Sequence, residues 1–128
     1  MEFVESPLVE IVAGDVSDRS AVEALFSDCQ EDGKVSVFHL ASIMSGEGEE
    51  DFDLCLAVNM EGSMNILEAL RKLPGTPKLV FAGSMAAMGS CSAVEDSSKY
   101  MPNNTYGMTK VRDRMWGLFC LTLRAPQP

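Results

Sequence analysis

Three short apolar runs, set apart by segments with helical spacing, constrain this chain more than any other feature. Leu8 to Ala13 is β-branched and apolar and stops at Gly14-Asp15. Val35 to Leu40 lies between Gly33 and the Gly-rich acidic stretch Ser45 to Asp51, and Lys78 to Gly83 follows the turn-forming cluster Leu73-Pro74-Gly75-Thr76-Pro77. Each run is too short for a helix and apolar enough to predict a strand buried on both faces. Between the first two, Ser17-Asp18 offers a cap for a helix carrying Val22, Leu25, Phe26 and Cys29 at helical spacing, closed by the loop-forming Asp28, Glu31, Asp32 and Gly33. Between the second and third, Phe52, Leu56, Met60, Ser63, Leu67 and Leu70 form one stripe, which predicts a long amphipathic helix from about Glu49 to Arg71. Asp51 and Asp53 belong to an acidic run of the kind that faces solvent and receive no role. A polar loop from Ser90 to Asn104, a helix from Thr105 to Cys120 and a non-helical tail Ala125 to Pro128 complete the pattern. Strands alternating with helices predict an α/β fold with a parallel sheet and ligand chemistry at the carboxyl ends of its strands.

Composition narrows the function classes. The 128 residues are 46% hydrophobic, enough for the core of one domain at most. Nineteen acidic against ten basic side chains give a formal charge of −9, which repels phosphate backbones and anionic lipid surfaces, so neither nucleic acid nor membrane is an expected partner. Cys29, Cys55, Cys91 and Cys120 form no CxxC pair and His39 is the only histidine, so no metal site is expected. The N-terminal segment has neither a basic nor an apolar signal region, which predicts a cytoplasmic protein with reduced thiols. The nine methionines are expected to fill the core.

Six residues carry candidate chemistry. Tyr106 and Lys110 stand four apart on the last helix, so both emerge from one face, where an ammonium would lower the phenol's pKa from about 10 and make it a usable acid/base. The same spacing also fits an exposed helical pair. Ser84 follows the third strand at once and suits either a substrate hydrogen bond or a turn cap. His39 ends the second strand, where a packed, hydrogen-bonded imidazole is the simpler role. Asp15 ends the first strand and serves a nucleotide's amino group or an ordinary turn. Asn59 sits within the apolar helix, an awkward place for an amide unless it bonds a backbone carbonyl or holds a water.

In this order, the pieces resemble the short-chain dehydrogenase/reductase superfamily, in its extended branch of NAD-dependent epimerases and dehydratases. Gly14-Asp15-Val16-Ser17-Asp18 is similar to the turn whose acid contacts the adenine, and Phe38-His39-Leu40-Ala41-Ser42 to the strand end beside the cofactor. Asn59 matches the branch's helix asparagine, Ser84 its active-site serine, and Tyr106-Gly107-Met108-Thr109-Lys110 its YxxxK signature, so the resemblance covers residues 8 to 112. It implies NAD, with NADP not excluded, held by Asp15, Val16, His39, Leu40, Ala41, Tyr106 and Lys110. Tyr106 would take the substrate's hydroxyl proton, Lys110 would bind the nicotinamide ribose, Ser84 would orient the hydroxyl and Asn59 would support a proton-relay water.

The implied substrate is a small molecule, a hydroxy acid or sugar derivative. Ser45 to Asp53 is most similar to members that oxidise a four-carbon sugar acid. The same centre serves nucleotide-sugar epimerases and dehydratases, and a non-catalytic remnant or interaction module is the reading from another class. The glycine-rich phosphate turn, G-x-x-G-x-x-G, occurs nowhere in the sequence. The resemblance therefore implies a partial Rossmann-type doubly wound sheet over residues 1–128. It lacks the first βαβ unit and a substrate domain, has a gap between its first run and the other two, and is expected to be a fragment. It also implies a homodimer through the long helix and the Tyr-Lys helix.

Overall fold

The computed structural model describes residues 8–30, 35–90 and 99–123, and the side chains at 28, 30 and 117–123 are left aside. The expected loop residues Glu31, Asp32 and Gly33, most of the loop after Ser90, and the tail Ala125 to Pro128 lie outside the described residues, as do Cys91 and the Cys120 side chain. Helix α1 (Arg19–Leu25) starts where Asp18 accepts hydrogen bonds from the Ser20 and Ala21 amides, as its capping chemistry predicts. A 3₁₀ turn, Ser27–Gln30, follows. Strands β1 (Ser36–His39) and β2 (Lys78–Phe81) pair in parallel, with Ser36 opposite Lys78 and His39 opposite Phe81. The crossover between them runs through α2 (Ser45–Glu50), α3 (Phe52–Leu56), a π-helical turn (Ala57–Gly62) and α4 (Ser63–Lys72). A 3₁₀ turn, Met85–Met88, and the long helix α5 (Thr105–Leu123) close the fold.

One face of the sheet packs on the core. Val22 of α1 and Phe26, which caps its end, meet Ile66, Ala69 and Leu70 of α4 and Leu73, with Val35, Val37 and Leu79 against them. Each fully buried side chain of this size contributes about 1.5–3 kcal/mol. The opposite face is bare among the described residues: Phe38 is 67% exposed and its register partner Val80 is 47% exposed. The expectation of burial on both faces is therefore corrected, because helices cover only one side of this two-stranded sheet.

The first apolar run does not form its expected strand. Leu8 to Ala13 has no strand assignment, and Ile11 and Val12 are well exposed. A strand exists only where ladder partners satisfy its N–H and C=O groups, and among the described residues no strand lies beside this one.

The acidic stretch Ser45 to Glu50 is a helix instead of a loop. Gly48 is buried in it, and a Cβ there would lie 2.9 Å from the Cys55 Sγ, so this glycine serves close packing. Asp51, which was given no role, breaks the expected long helix and caps α3 by accepting from the Leu54 amide at 2.9 Å. Beyond it the π turn shifts the helical phase. The buried line becomes Cys55, Asn59, Ser63, Ile66 and Leu70, while Phe52 of the expected stripe is exposed. The methionines also depart from expectation: Met44, Met85, Met101, Met108 and Met115 are exposed and fill no core.

Candidate active site

Helix α5 packs against the 3₁₀ turn Met85–Met88, α2 and the π turn. Gly107 allows this. A Cβ on it would overlap the carbonyl of Ala86, and its N–H donates to Asn104 Oδ1 at 2.7 Å. Ser84, extended at the end of β2, caps the 3₁₀ turn by accepting from the Ala86 amide at 3.2 Å. The capping role weighed for this serine is thus realised, and the same turn is what Gly107 brings against α5.

Tyr106 and Lys110 are both buried, 8% and 9% exposed, and the Lys110 Nζ lies 5.4 Å from the Tyr106 ring centroid. The exposed-pair reading is ruled out by that burial. Among the described residues no hydrogen-bond or ion-pair partner reaches the Lys110 ammonium. Such a buried cation is costly unless something pairs with it.

Asn59, 1% exposed, is fully accounted for. Its Oδ1 accepts from the Ile43 amide at 2.8 Å and its Nδ2 donates to the Ile43 carbonyl at 3.0 Å, pairing with that backbone much as a strand would. The same Nδ2 reaches Thr109 Oγ1 at 3.3 Å, and Thr109 donates to the Tyr106 carbonyl at 2.8 Å. One amide thus ties the loop after β1 to the helix bearing the Tyr-Lys pair. His39 is buried, with Nε2 3.2 Å from the Ser63 hydroxyl and its ring edge-on to Phe81. Burial, and then the Lys110 charge, hold its pKa below the ordinary value, so it stays neutral. Because Ser63 donates to the Asn59 carbonyl at 2.6 Å, His39 is the donor to Ser63.

Asp15 and Val16 stand apart from this cluster. The exposed Asp15 carboxylate accepts from the Ser17 amide and hydroxyl, both at 2.8 Å, and these bonds hold its pKa down. Asn65 donates to the Val16 and Ser17 carbonyls at 3.0 and 3.1 Å, and a Cβ on Gly62 would lie 2.7 Å from the Val16 side chain. A cavity of about 180 Å³ opens beside this turn, lined by Val12, Asp15, Ala21, Leu25 and Ile66 among others. Leu40 and Ala41 are exposed where β1 ends.

The positions that sequence reasoning missed, Gly62, Ser63, Asn65, Gly107 and Thr109, all act by holding another site residue in place. Gly62 and Gly107 carried a signal, each as a glycine inside a predicted helix. Among the described residues no group of three His, Cys, Asp or Glu is placed to hold a metal ion, and no helix is long and apolar enough to cross a membrane.

Comparison with known proteins gives this geometry relatives. The sequence model of the NAD dependent epimerase/dehydratase family matches residues 2–113. D-erythronate dehydrogenase of Cupriavidus necator is 36% identical over 105 residues, which are 80% of this chain and 31% of that protein. The nucleoside-diphosphate-sugar epimerase from Agrobacterium tumefaciens superposes with a TM-score of 0.77 at 27% identity, over 92% of this chain and 36% of that one. UDP-glucose 4-epimerase from Brucella ovis, solved in complex with NAD, superposes at 0.71 with 25% identity, over 86% and 34%. The chain spans about a third of the length of each.

Proposed function

The chain belongs to the NAD dependent epimerase/dehydratase family, and from that premise we propose that it carries the Ser84, Tyr106 and Lys110 centre of an NAD-dependent oxidoreductase. The substrate class is a hydroxy acid or sugar derivative of the D-erythronate kind, a reading supported by the 36% identity to D-erythronate dehydrogenase. The observation that carries the proposal is the Lys110 ammonium, buried beside the Tyr106 ring and unpartnered among the described residues. Two ribose hydroxyls of a nicotinamide nucleotide are the acceptors that such a cation lacks, so the residues fit the group. The proposed cofactor is NAD, a reading supported by the NAD dependence of the matched family.

The chemistry that a nicotinamide would supply there is hydride transfer. Tyr106 takes the proton of the substrate hydroxyl at its phenolic oxygen, and Ser84 donates to the same substrate oxygen from the end of β2. Lys110 would hold the ribose, with its ammonium beside the Tyr106 ring. Asn59 acts through the backbone, fixing the Ile43 loop and α5 relative to one another. His39, Leu40 and Ala41 line the approach at the end of β1, and Asp15 with Val16 forms the proposed adenine end.

The test is net NADH formation from D-erythronate and NAD, with NAD binding followed by calorimetry. Tyr106→Phe should lower the rate about 10²–10⁴-fold, as for loss of a general acid/base, while leaving NAD affinity within a few-fold. Equal rates in wild type and variant, or no NAD binding, would refute the assignment. The superposition on a nucleoside-diphosphate-sugar epimerase favours a second reading, in which the hydride returns to the substrate and no net NADH accumulates with sugar nucleotides. A homodimer through α4 and α5 is also proposed, supported by exposed Met108 and Met115 on α5. A reducing, cytoplasmic setting is proposed from the free thiols of Cys29 and Cys55.

A further inference from the structure

The acidic run after β1 reaches the start of the helix that bears Tyr106 and Lys110. The Thr105 N–H donates to Glu49 Oε1 at 2.8 Å, across 56 residues of sequence. Thr105 is the first residue of α5 and Tyr106 the second. The first amides of a helix have no partner within it. Asn104 takes one of them by accepting from Gly107, and Glu49 takes another from a different element, α2. Helix α5 has no acidic residue in its own first turn, so Glu49 also supplies the negative charge that a helix N-terminus favours.

Close packing fixes where that carboxylate sits. Gly48, the residue before it, is buried, and a Cβ there would lie 2.9 Å from Cys55 Sγ. Cys55 Sγ in turn accepts from Asn59 Nδ2 at 3.4 Å, and the same Nδ2 reaches Thr109 Oγ1 at 3.3 Å. Helix α5 is thus tied at Thr105 through Glu49 and, four residues on, at Thr109 through Asn59. Tyr106 lies between the two ties, and its carbonyl accepts from Thr109 at 2.8 Å. One tie leaves a helix free to pivot about it, whereas two ties a turn apart fix how it is set.

We propose that Glu49 is a positioning residue for Tyr106, anchoring the first amide of α5 to α2 and so holding the phenol where the Ser84 turn meets the helix. It acts through the Thr105 backbone. The proposal rests on the reading of Tyr106 as the acid/base of the site. A misplaced acid/base weakens an interaction made in the transition state, so loss of Glu49 lowers kcat and leaves KM in place. A mere staple between α2 and α5 would loosen Thr105 and leave Tyr106 and kcat unchanged.

The experiment combines amide hydrogen exchange and Tyr106 ring NMR on the chain without cofactor or substrate with kinetics on D-erythronate and NAD. Wild type should protect the Thr105 amide. Glu49→Ala should speed its exchange about tenfold or more, as for loss of one hydrogen bond to a charged acceptor. It should also shift the Tyr106 ring resonances, while the Ile43 amide, held by Asn59, keeps its wild-type rate. The kcat should fall about tenfold, with KM within about twofold of wild type. Glu49→Gln keeps the acceptor and should bring every reading back towards wild type. Glu50→Ala removes the neighbouring exposed acid and should change none of them.

Unchanged Tyr106 resonances in Glu49→Ala, or a Glu49→Gln protein that behaves like it, would overturn the proposal. So would Ile43 exchange that accelerates as much as Thr105, the mark of general loosening. If Glu49→Ala does not fold, Glu49→Gln and the wild-type Thr105 amide decide, and an unprotected amide in wild type overturns the tie. A wild type that forms no NADH would refute the chemistry proposed for Tyr106, with the exchange and ring readings still deciding the placement. A rate lost in Tyr106→Phe but kept in Glu49→Ala would overturn the role of Glu49 alone.

Discussion

Gly107→Ala should destabilise this protein, against the usual effect of that substitution in a helix. Alanine gains about 1 kcal/mol over glycine from helix propensity alone. At position 107, however, the new methyl would overlap the Ala86 carbonyl oxygen, lie 2.9 Å from the carbonyl carbon and 3.0 Å from Asn104 Oδ1. Two of these three atoms are backbone and cannot rotate aside. Overpacking of this kind costs about 1–3 kcal/mol, and contact with backbone belongs at the upper end. The net expectation is a loss of about 2 kcal/mol. With a urea m-value of about 1–3 kcal/mol/M, the unfolding midpoint should fall by roughly 1 M. Gly46→Ala in α2 is the internal control, because nothing lies within 4 Å of its Cβ position, and it should gain about 0.5–1 kcal/mol. Gly107→Ala should also push α5 away from the Ser84 turn, so NADH formation by the proposed centre should fall with it. A Gly107→Ala protein as stable as wild type, or more so, would refute the view that this glycine sets the approach of α5 to the end of β2.

Asn59→Ala strips the Ile43 amide and carbonyl of their partners and should cost about 2–3 kcal/mol, with faster hydrogen exchange at the Ile43 amide. His39 has a folded pKa below its ordinary value of about 6.5. Its linked stability is therefore present above that value and lost as pH falls through the folded one, and His39→Gln should flatten that part of the pH profile in urea melts. Asn65→Ala should free the Val16 and Ser17 carbonyls at a cost of about 1 kcal/mol and weaken NAD binding through the Asp15 turn, read by calorimetry.

What the sequence made legible was local. Asp18 announces α1 because a capping carboxylate needs only the two amides that follow it. Tyr106 and Lys110 share a face because four residues of helix place them there, whatever lies opposite. The parallel strands β1 and β2 were legible for a similar reason, since each is an apolar run bounded by turn residues. Asn59 was legible only as an oddity. Its partner, Ile43, lies 16 residues away in a loop, and no pattern of spacing connects an amide side chain to a particular stretch of backbone. The π turn was hidden for the same reason. A search for apolar stripes gives weight to Phe52 and Met60, whereas the buried line runs through Cys55 and the polar Asn59, whose partners satisfy it inside.

The run Leu8 to Ala13 shows where local reasoning stops. Its composition favours a strand as much as that of Val35 to Leu40, yet only the latter forms one. The difference is the neighbour. β1 exchanges hydrogen bonds with β2, while among the described residues no strand lies beside Leu8 to Ala13. The Asp15 turn that follows keeps its shape regardless, because Ser17, Asn65 and Val16 against Gly62 hold it from the helical side. The adenine end of the proposed site therefore depends on α1 and α4 and not on the strand that precedes it. A peptide that supplied Leu8 to Ala13 with a strand to pair with should order that run while leaving the Asp15 turn unchanged.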